Sequence, residues 1–154
     1  MEKKEPSEVK NKLSVQIIED ETYWTDEVKK LAKVIRNLED IPLGQVNLHS
    51  TMARLDDYRM RFINIYDKRN IKFRKLKADK IKEVWDSPYK YNAKEKEDII
   101  YGDLADEYAL LDLLTAHIEF LARKYQALLQ ITYAVKNRIE LEKYHRTGLT
   151  TDDD

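Results

Sequence analysis

The chain contains no cysteine, which excludes disulfides, thiolate metal sites and a cysteine nucleophile. Glycine and proline number only 3 each among 154 residues. That is too few to punctuate a sheet of short strands, and abundant Lys, Glu, Leu and Ala favour long helices instead. No signal-peptide core and no long uncharged apolar run occurs, which argues against secretion and membrane spanning. Glycine-rich phosphate loops, G-x-S-x-G elbows and HExxH motifs are also missing. Glu142-x-x-His145 has half the spacing of a helical-bundle di-iron site. Such a site needs a second pair, and neither His49 nor His117 has an acid three residues before it. No metal and no cofactor is expected, and an enzyme is the least supported class.

What is present is amphipathic helix. From Asp103 to His145, Leu104, Leu111, Leu114, Ile118, Leu121, Tyr125, Leu128, Val135 and Ile139 recur at three- and four-residue steps, with Glu107 and Thr132 filling the row. Residues so spaced share one helix face. A second row holds Leu110, Phe120, Ala127, Ile131 and Ala134, so the apolar face is wider than a two-stranded coiled coil needs. This stretch is expected to drive assembly through Leu111, Leu114, Ile118, Leu121, Tyr125, Leu128, Val135 and Ile139. The acids Asp103, Asp106, Glu107 and Asp112 near its start could bind a cation. The simpler reading is that they favour the beginning of the helix electrostatically.

Residues 1–12 are charged and carry Pro6, which predicts a mobile arm. Leu13 to Ile17 alternate apolar and polar residues like a strand, though no second strand is in sight to pair with them. Thr25, followed by Asp26 and Glu27, predicts a helix start, with Trp24, Val28, Leu31, Ile35 and Leu38 on its apolar face. Asp40 to Gly44 is expected to stop that helix. From Val46 to Val84 neither Gly nor Pro interrupts the chain, and Leu48, Met52, Leu55, Phe62, Ile65, Phe73 and Leu76 keep helical spacing, with Arg59, Arg69 and Lys80 completing the row. A helix of that length would reach about 60 Å, so it should project as a hairpin arm, bend near Asn70 or pack against other subunits. Pro88 lies in the link that follows, and Asn92 with Glu95 predicts a capping box and a restarted helix. Gly102 suggests a further break, and Gly148 a C-cap.

The fold class is therefore all-α: a long helical hairpin with a short N-terminal helix, assembling as an oligomeric bundle or ring. Residues 1–44 form the arm and short helix. Residues 45–148 form the hairpin, with a basic helix, a turn at 85–92 and the C-terminal assembly helix. Residues 149–154 form an acidic tail.

Charge is unevenly spread along this layout. Residues 54–96 hold fourteen Lys or Arg against seven acids, a local balance of +7 hidden within an overall −1. A basic helix running into Trp85, Tyr89 and Tyr91 has the two elements of sequence-independent single-strand binding, cations for phosphates and rings for unpaired bases. The same residues also suit the solvated outside of an ordinary hairpin, with turn aromatics packed on the helices they join.

The segment Tyr133-Ala134-Val135-Lys136-Asn137-Arg138-Ile139-Glu140-Leu141-Glu142-Lys143-Tyr144-His145-Arg146-Thr147-Gly148 resembles the closing signature of the UvsY-like recombination mediator proteins of T-even-type phages. In that signature an aromatic, an aliphatic–Lys pair, a helical segment and a final aromatic precede a glycine. The likeness covers the last third of the chain and, by pattern only, the stretch from about Lys68. Ile131-Thr132 stands before Tyr133 where the family usually has an Arg, and the N-terminal portion has no counterpart. The family's basic-aromatic segment aligns with Lys77, Lys80, Lys82, Trp85, Tyr89 and Tyr91, or alternatively with residues 53–58.

The resemblance implies a ring-like homo-oligomer that binds single-stranded DNA and helps load a RecA-like recombinase onto strands covered by a single-strand-binding protein. This would take place in the cytoplasm of an infected bacterial host, during phage recombination, replication and repair, without a membrane. The expected DNA-contacting residues are Lys68, Arg69, Lys72, Arg74, Lys75, Lys77, Lys80, Lys82, Trp85, Tyr89 and Tyr91. A helical scaffold component of a phage particle or assembly is the alternative that the same helices allow.

Overall fold

The computed structural model describes residues 6–148, and among them there are four helices and no strand. Helix α1 is Pro6–Ala32, α2 is Ile41–Trp85, α3 is Ala93–Asp103 and α4 is Ala105–Gly148. The chain divides into two compact units. One is Met1–Glu19 with Met60–Glu119, the other Asp20–Arg59 with Phe120–Asp154.

The all-α expectation holds, while its N-terminal details are corrected. Helix α1 spans 27 residues, so the part of the expected arm from Pro6 onward is helical. The alternation at 13–17 is not a strand. Ile17, Trp24 and Leu31 are buried at seven-residue intervals, and that helical row outweighs an alternating run with no partner. Ser14 Oγ donates to Lys10 O at 2.9 Å, one turn back within the helix. Thr25 starts nothing, because it lies inside α1.

The break falls at two 3-10 turns, Lys33–Arg36 and Leu38–Asp40, which take Ile35 and Leu38 out of the expected helix. Their side chains lie outside the described part. Between the turns Asn37 is extended (φ −123°, ψ 115°), and its Nδ2 donates to Asp40 Oδ2 at 3.1 Å. Pro42 stops no helix. It sits in the first turn of α2, where a missing N–H costs no intrahelical bond. Gly44 has a different reason to be glycine, since a Cβ there would run into Val34 Cγ1.

In the unit containing Asp20–Arg59, Trp24, Leu31, Ile41, Leu48, Leu55, Leu121, Leu128, Ile131 and Val135 form the buried set. Tyr58 Oη donates to Asp20 Oδ2 at 2.6 Å, and Arg54 Nη2 lies 3.6 Å from Glu27 Oε2. In the other unit Phe73, Val84, Ile100, Leu104 and Leu111 cluster, with Tyr66, Ile99 and Tyr108 packed against them. Helix α2 ends at Trp85, and the link of residues 86–92 leads into α3 as expected. Asn92 Oδ1 accepts from the Glu95 N–H at 2.9 Å, and Glu95 Oε2 accepts from the Asn92 N–H at 2.8 Å, a capping box whose Asn contributes about 1 kcal/mol. The hairpin is less simple than expected, because α3 stops at Asp103 and Leu104 leaves the helical conformation (φ −107°, ψ 7°). That break comes two residues after Gly102.

The row on α4 is largely buried within the single chain. Leu114, Leu121 and Leu128 have no exposed surface, Val135 has 1% and Leu111 8%, all within one chain. Ile118, Tyr125 and Ile139 are half-buried. On α1, Ile17, Trp24 and Leu31 are buried as well, so a third helix contributes buried side chains to this chain. On α2, Ile65 and Leu76 are 43% and 46% exposed, while Phe62 and Phe73 are buried. A helix turns 3.6 residues per cycle rather than 3.5, so a row read in heptads drifts off the buried face over such a length.

The tight contact at Gly44 yields a stability test. Gly44→Ala is expected to cost about 1–3 kcal/mol by forcing Val34 aside, read from urea unfolding. A variant as stable as the parent would show that Val34 yields freely.

Candidate nucleic-acid interface

The expected site residues lie on the second half of α2 and the link beyond it, all in the unit containing Met60–Glu119. Opposite charge is segregated in this unit. Residues 97–119 hold seven acids and no Lys or Arg, and they return beside the basic half of α2. Arg69 Nη1 lies 3.8 Å from Glu107 Oε2. Lys80 Nζ is 3.0 Å from Asp103 Oδ2 and 3.0 Å from Glu83 Oε2. Lys77 Nζ sits 5.6 Å from the centre of the Tyr108 ring. Arg69, Lys77 and Lys80 are thus half-buried and engaged inside the unit, where they fasten α2 to α3 and α4.

The other expected cations, Lys68, Lys72, Arg74, Lys75 and Lys82, are exposed and take no ion pair among the described residues. At 100° per residue, Lys68, Lys72, Lys75 and Lys82 fall within an arc of about 80°, and they extend for about 21 Å along the helix. Asp79 is the one acid in that arc. Arg74 points to the neighbouring face, in line with Lys77, Ile81 and Trp85. The alternative placement at 53–58 fares worse as a binding surface. Leu55 is fully buried, while Arg54 and Tyr58 are already bonded to partners on α1.

The link aromatics are open to solvent. Trp85 is 61% exposed, Tyr89 70% and Tyr91 37%. Tyr89 and Tyr91 have ring centroids 5.9 Å apart at 35°, steadied by the Tyr89 N–H to Ser87 Oγ (3.3 Å) and the Tyr91 N–H to Tyr89 O (3.1 Å).

Three residues not anticipated as site residues join this region. Lys96 Nζ lies 3.9 Å over the Trp85 ring. Tyr101 stacks on Tyr108 at 5.1 Å and 29°, and Tyr108 meets the Phe73 ring edge-on at 4.7 Å. Tyr101 lies on α3 and Tyr108 on α4, so their stacking spans the break at Leu104. The meeting of Lys96 with Trp85 depends on the link and could not be read in advance.

No group of three or more His, Asp or Glu that could hold a metal exists among the described residues. None of their helices is long and apolar enough to cross a membrane.

The hydrogen bonds from Lys80 to Glu83 and then Asp103 hold its pKa above the ordinary 10.5. Because the folded value is the raised one, this pairing stabilises the unit at neutral pH and below, and its contribution is lost as pH climbs through that raised value. Asp103→Asn is expected to lower the Lys80 titration point toward 10.5 in an NMR titration of the lysine side chains. A titration point that does not move would place Asp103 outside the pairing in solution. No family model, no curated protein and no solved structure matches the chain, so its functional reading rests on this geometry and on the sequence resemblance.

Proposed function

We propose that the protein is a non-enzymatic single-stranded-DNA-binding recombination mediator. The observation that carries the proposal is the set Lys68, Lys72, Lys75 and Lys82, four exposed and unpaired lysines in one arc of α2, with the exposed Trp85 on the neighbouring face of the same helix. Within globular units, acids usually answer nearby cations. Here the acids of α3 and α4 answer Arg69 and Lys80 and leave this arc uncompensated except for Asp79. An uncompensated cationic stripe attracts a phosphate backbone and gains affinity by counterion release. Adjacent rings add stacking to unpaired bases, and stacking is tolerant of sequence because every base has a flat face.

The resemblance of the closing segment to UvsY-like mediators supports the same reading. It adds the partners, namely a RecA-like recombinase, a single-strand-binding protein and further copies of this chain. In that role the protein holds the strand loosely enough to hand it over, which suits phosphate contacts without base-specific hydrogen bonds.

The test is fluorescence anisotropy with a labelled oligonucleotide at several salt concentrations. Binding should weaken as salt rises, and the slope should flatten by about 0.7 for each replaced lysine that contacts a phosphate. Replacing Lys68, Lys72, Lys75 and Lys82 together with Ala is expected to reduce affinity at least tenfold without unfolding the exposed face of α2. No binding by the parent protein at low salt would sink the proposal and leave the scaffold reading.

A further inference from the structure

Between α2, α3 and the start of α4 lies an open groove of about 450 Å³, lined by Lys77, Ile81, Trp85, Lys96, Tyr101 and Tyr108 among others. Its walls are mostly flat rings and aliphatic carbons. Two of its charged groups are lysines whose ammonium groups lie over those rings, and Glu97 is its one acid. Such a groove disfavours a cationic guest, because its own cations already occupy the ring faces where a guest cation would sit. Flat walls and positive rims suit a flat guest carrying negative charge. Arg74, Lys77, Ile81 and Trp85 follow one another at three- and four-residue steps, so the groove's wall on α2 continues directly into an exposed, unpaired Arg74.

We infer that this groove is a subsite for an unpaired nucleobase of a bound single strand, which stacks against Trp85 and Tyr101 in place of the Lys96 head group. The inference rests on the single-strand reading above and assigns it a place for the base rather than for the phosphates. The Lys96 ammonium, lifted from the Trp85 ring, moves to the phosphate of the same nucleotide, so no charge is stranded. Tyr101 is 62% exposed and Trp85 61%, and both rings are reachable without opening the core. Tyr108 is half-buried behind them, edge-on to Phe73, and holds the Tyr101 ring in place.

The chain carries its own reporter for this event. Of its two tryptophans, Trp24 is 5% exposed and Trp85 61%, so emission that changes on base stacking comes from Trp85. The experiment titrates the intact protein with oligothymidylate and with an abasic strand of equal length, reading both anisotropy and tryptophan emission. Oligothymidylate should quench emission and bind roughly five- to hundredfold more tightly than the abasic strand. Trp85→Phe should abolish the quench, and Tyr101→Ala should remove most of the preference for the base-bearing strand. Equal affinity for the two strands with emission unmoved overturns the groove assignment while leaving phosphate binding intact. Failure of either strand to bind at low salt overturns the mediator reading and this one with it. A quench that persists in Trp85→Phe places the base elsewhere and also overturns the assignment.

Discussion

Leu114, Leu121 and Leu128 have no surface left for solvent, and the rest of the molecule depends on that seven-residue row. Truncating any one of them to Ala would cost about 2–5 kcal/mol, a large fraction of the stability of a small domain. Leu111 and Val135 of the same row are buried too, while Ile118, Tyr125 and Ile139 keep part of their surface. Each compact unit takes its share of the row, and each adds an aromatic anchor from another helix, Trp24 in one and Phe73 in the other.

Charge is arranged around that apolar row with a clear division of labour. The acidic return segment, from Glu97 to Glu119, engages Arg69 and Lys80 and fixes how α3 and α4 lie on α2 in their unit. Partly exposed pairs like these contribute little net stability, but they decide which cations remain available. Lysines turned away from the acids carry charge that no ion pair among the described residues answers. The result is a chain of net charge −1 that nevertheless shows a local cationic surface. Net charge alone would have concealed it.

Much of the fold was legible because helix signals are local. The α4 row, the uninterrupted α2 stretch, the Asn92–Glu95 capping box and the link after Trp85 all follow from spacing and side-chain chemistry within a few residues. What failed depended on long-range facts. The alternation at Leu13–Ile17 could be judged only by asking whether a partner strand existed, and Pro42 only by knowing on which side of the break it fell. The extent of α1 was also hidden, because the buried row Ile17, Trp24 and Leu31 runs through Thr25, whose side chain and following acids look like a helix start. Among the site residues, the basic helix and Trp85 were visible in composition. The pairing of Arg69 with Glu107 of α4 and of Lys80 with Asp103 of α3 was not, and neither was Lys96 over Trp85, since all require the return of the chain after the link.

The way the two units draw on the chain bears on how the protein is made. Neither unit is a contiguous piece of sequence. Asp20–Arg59 must wait for a segment beginning at Phe120, with the whole of Met60–Glu119 intervening. The unit built on Met60–Glu119 has all its segments once residue 119 has been synthesised, whereas the other requires the segment from Phe120 onward. Closing so long a connection carries an entropic cost that grows slowly with its length, and chains emerging from the ribosome fold from the N-terminal side first. The segments of the unit that bears the cationic helix are thus all present in the growing chain before those of the other, which draws on α4 from Phe120 onward.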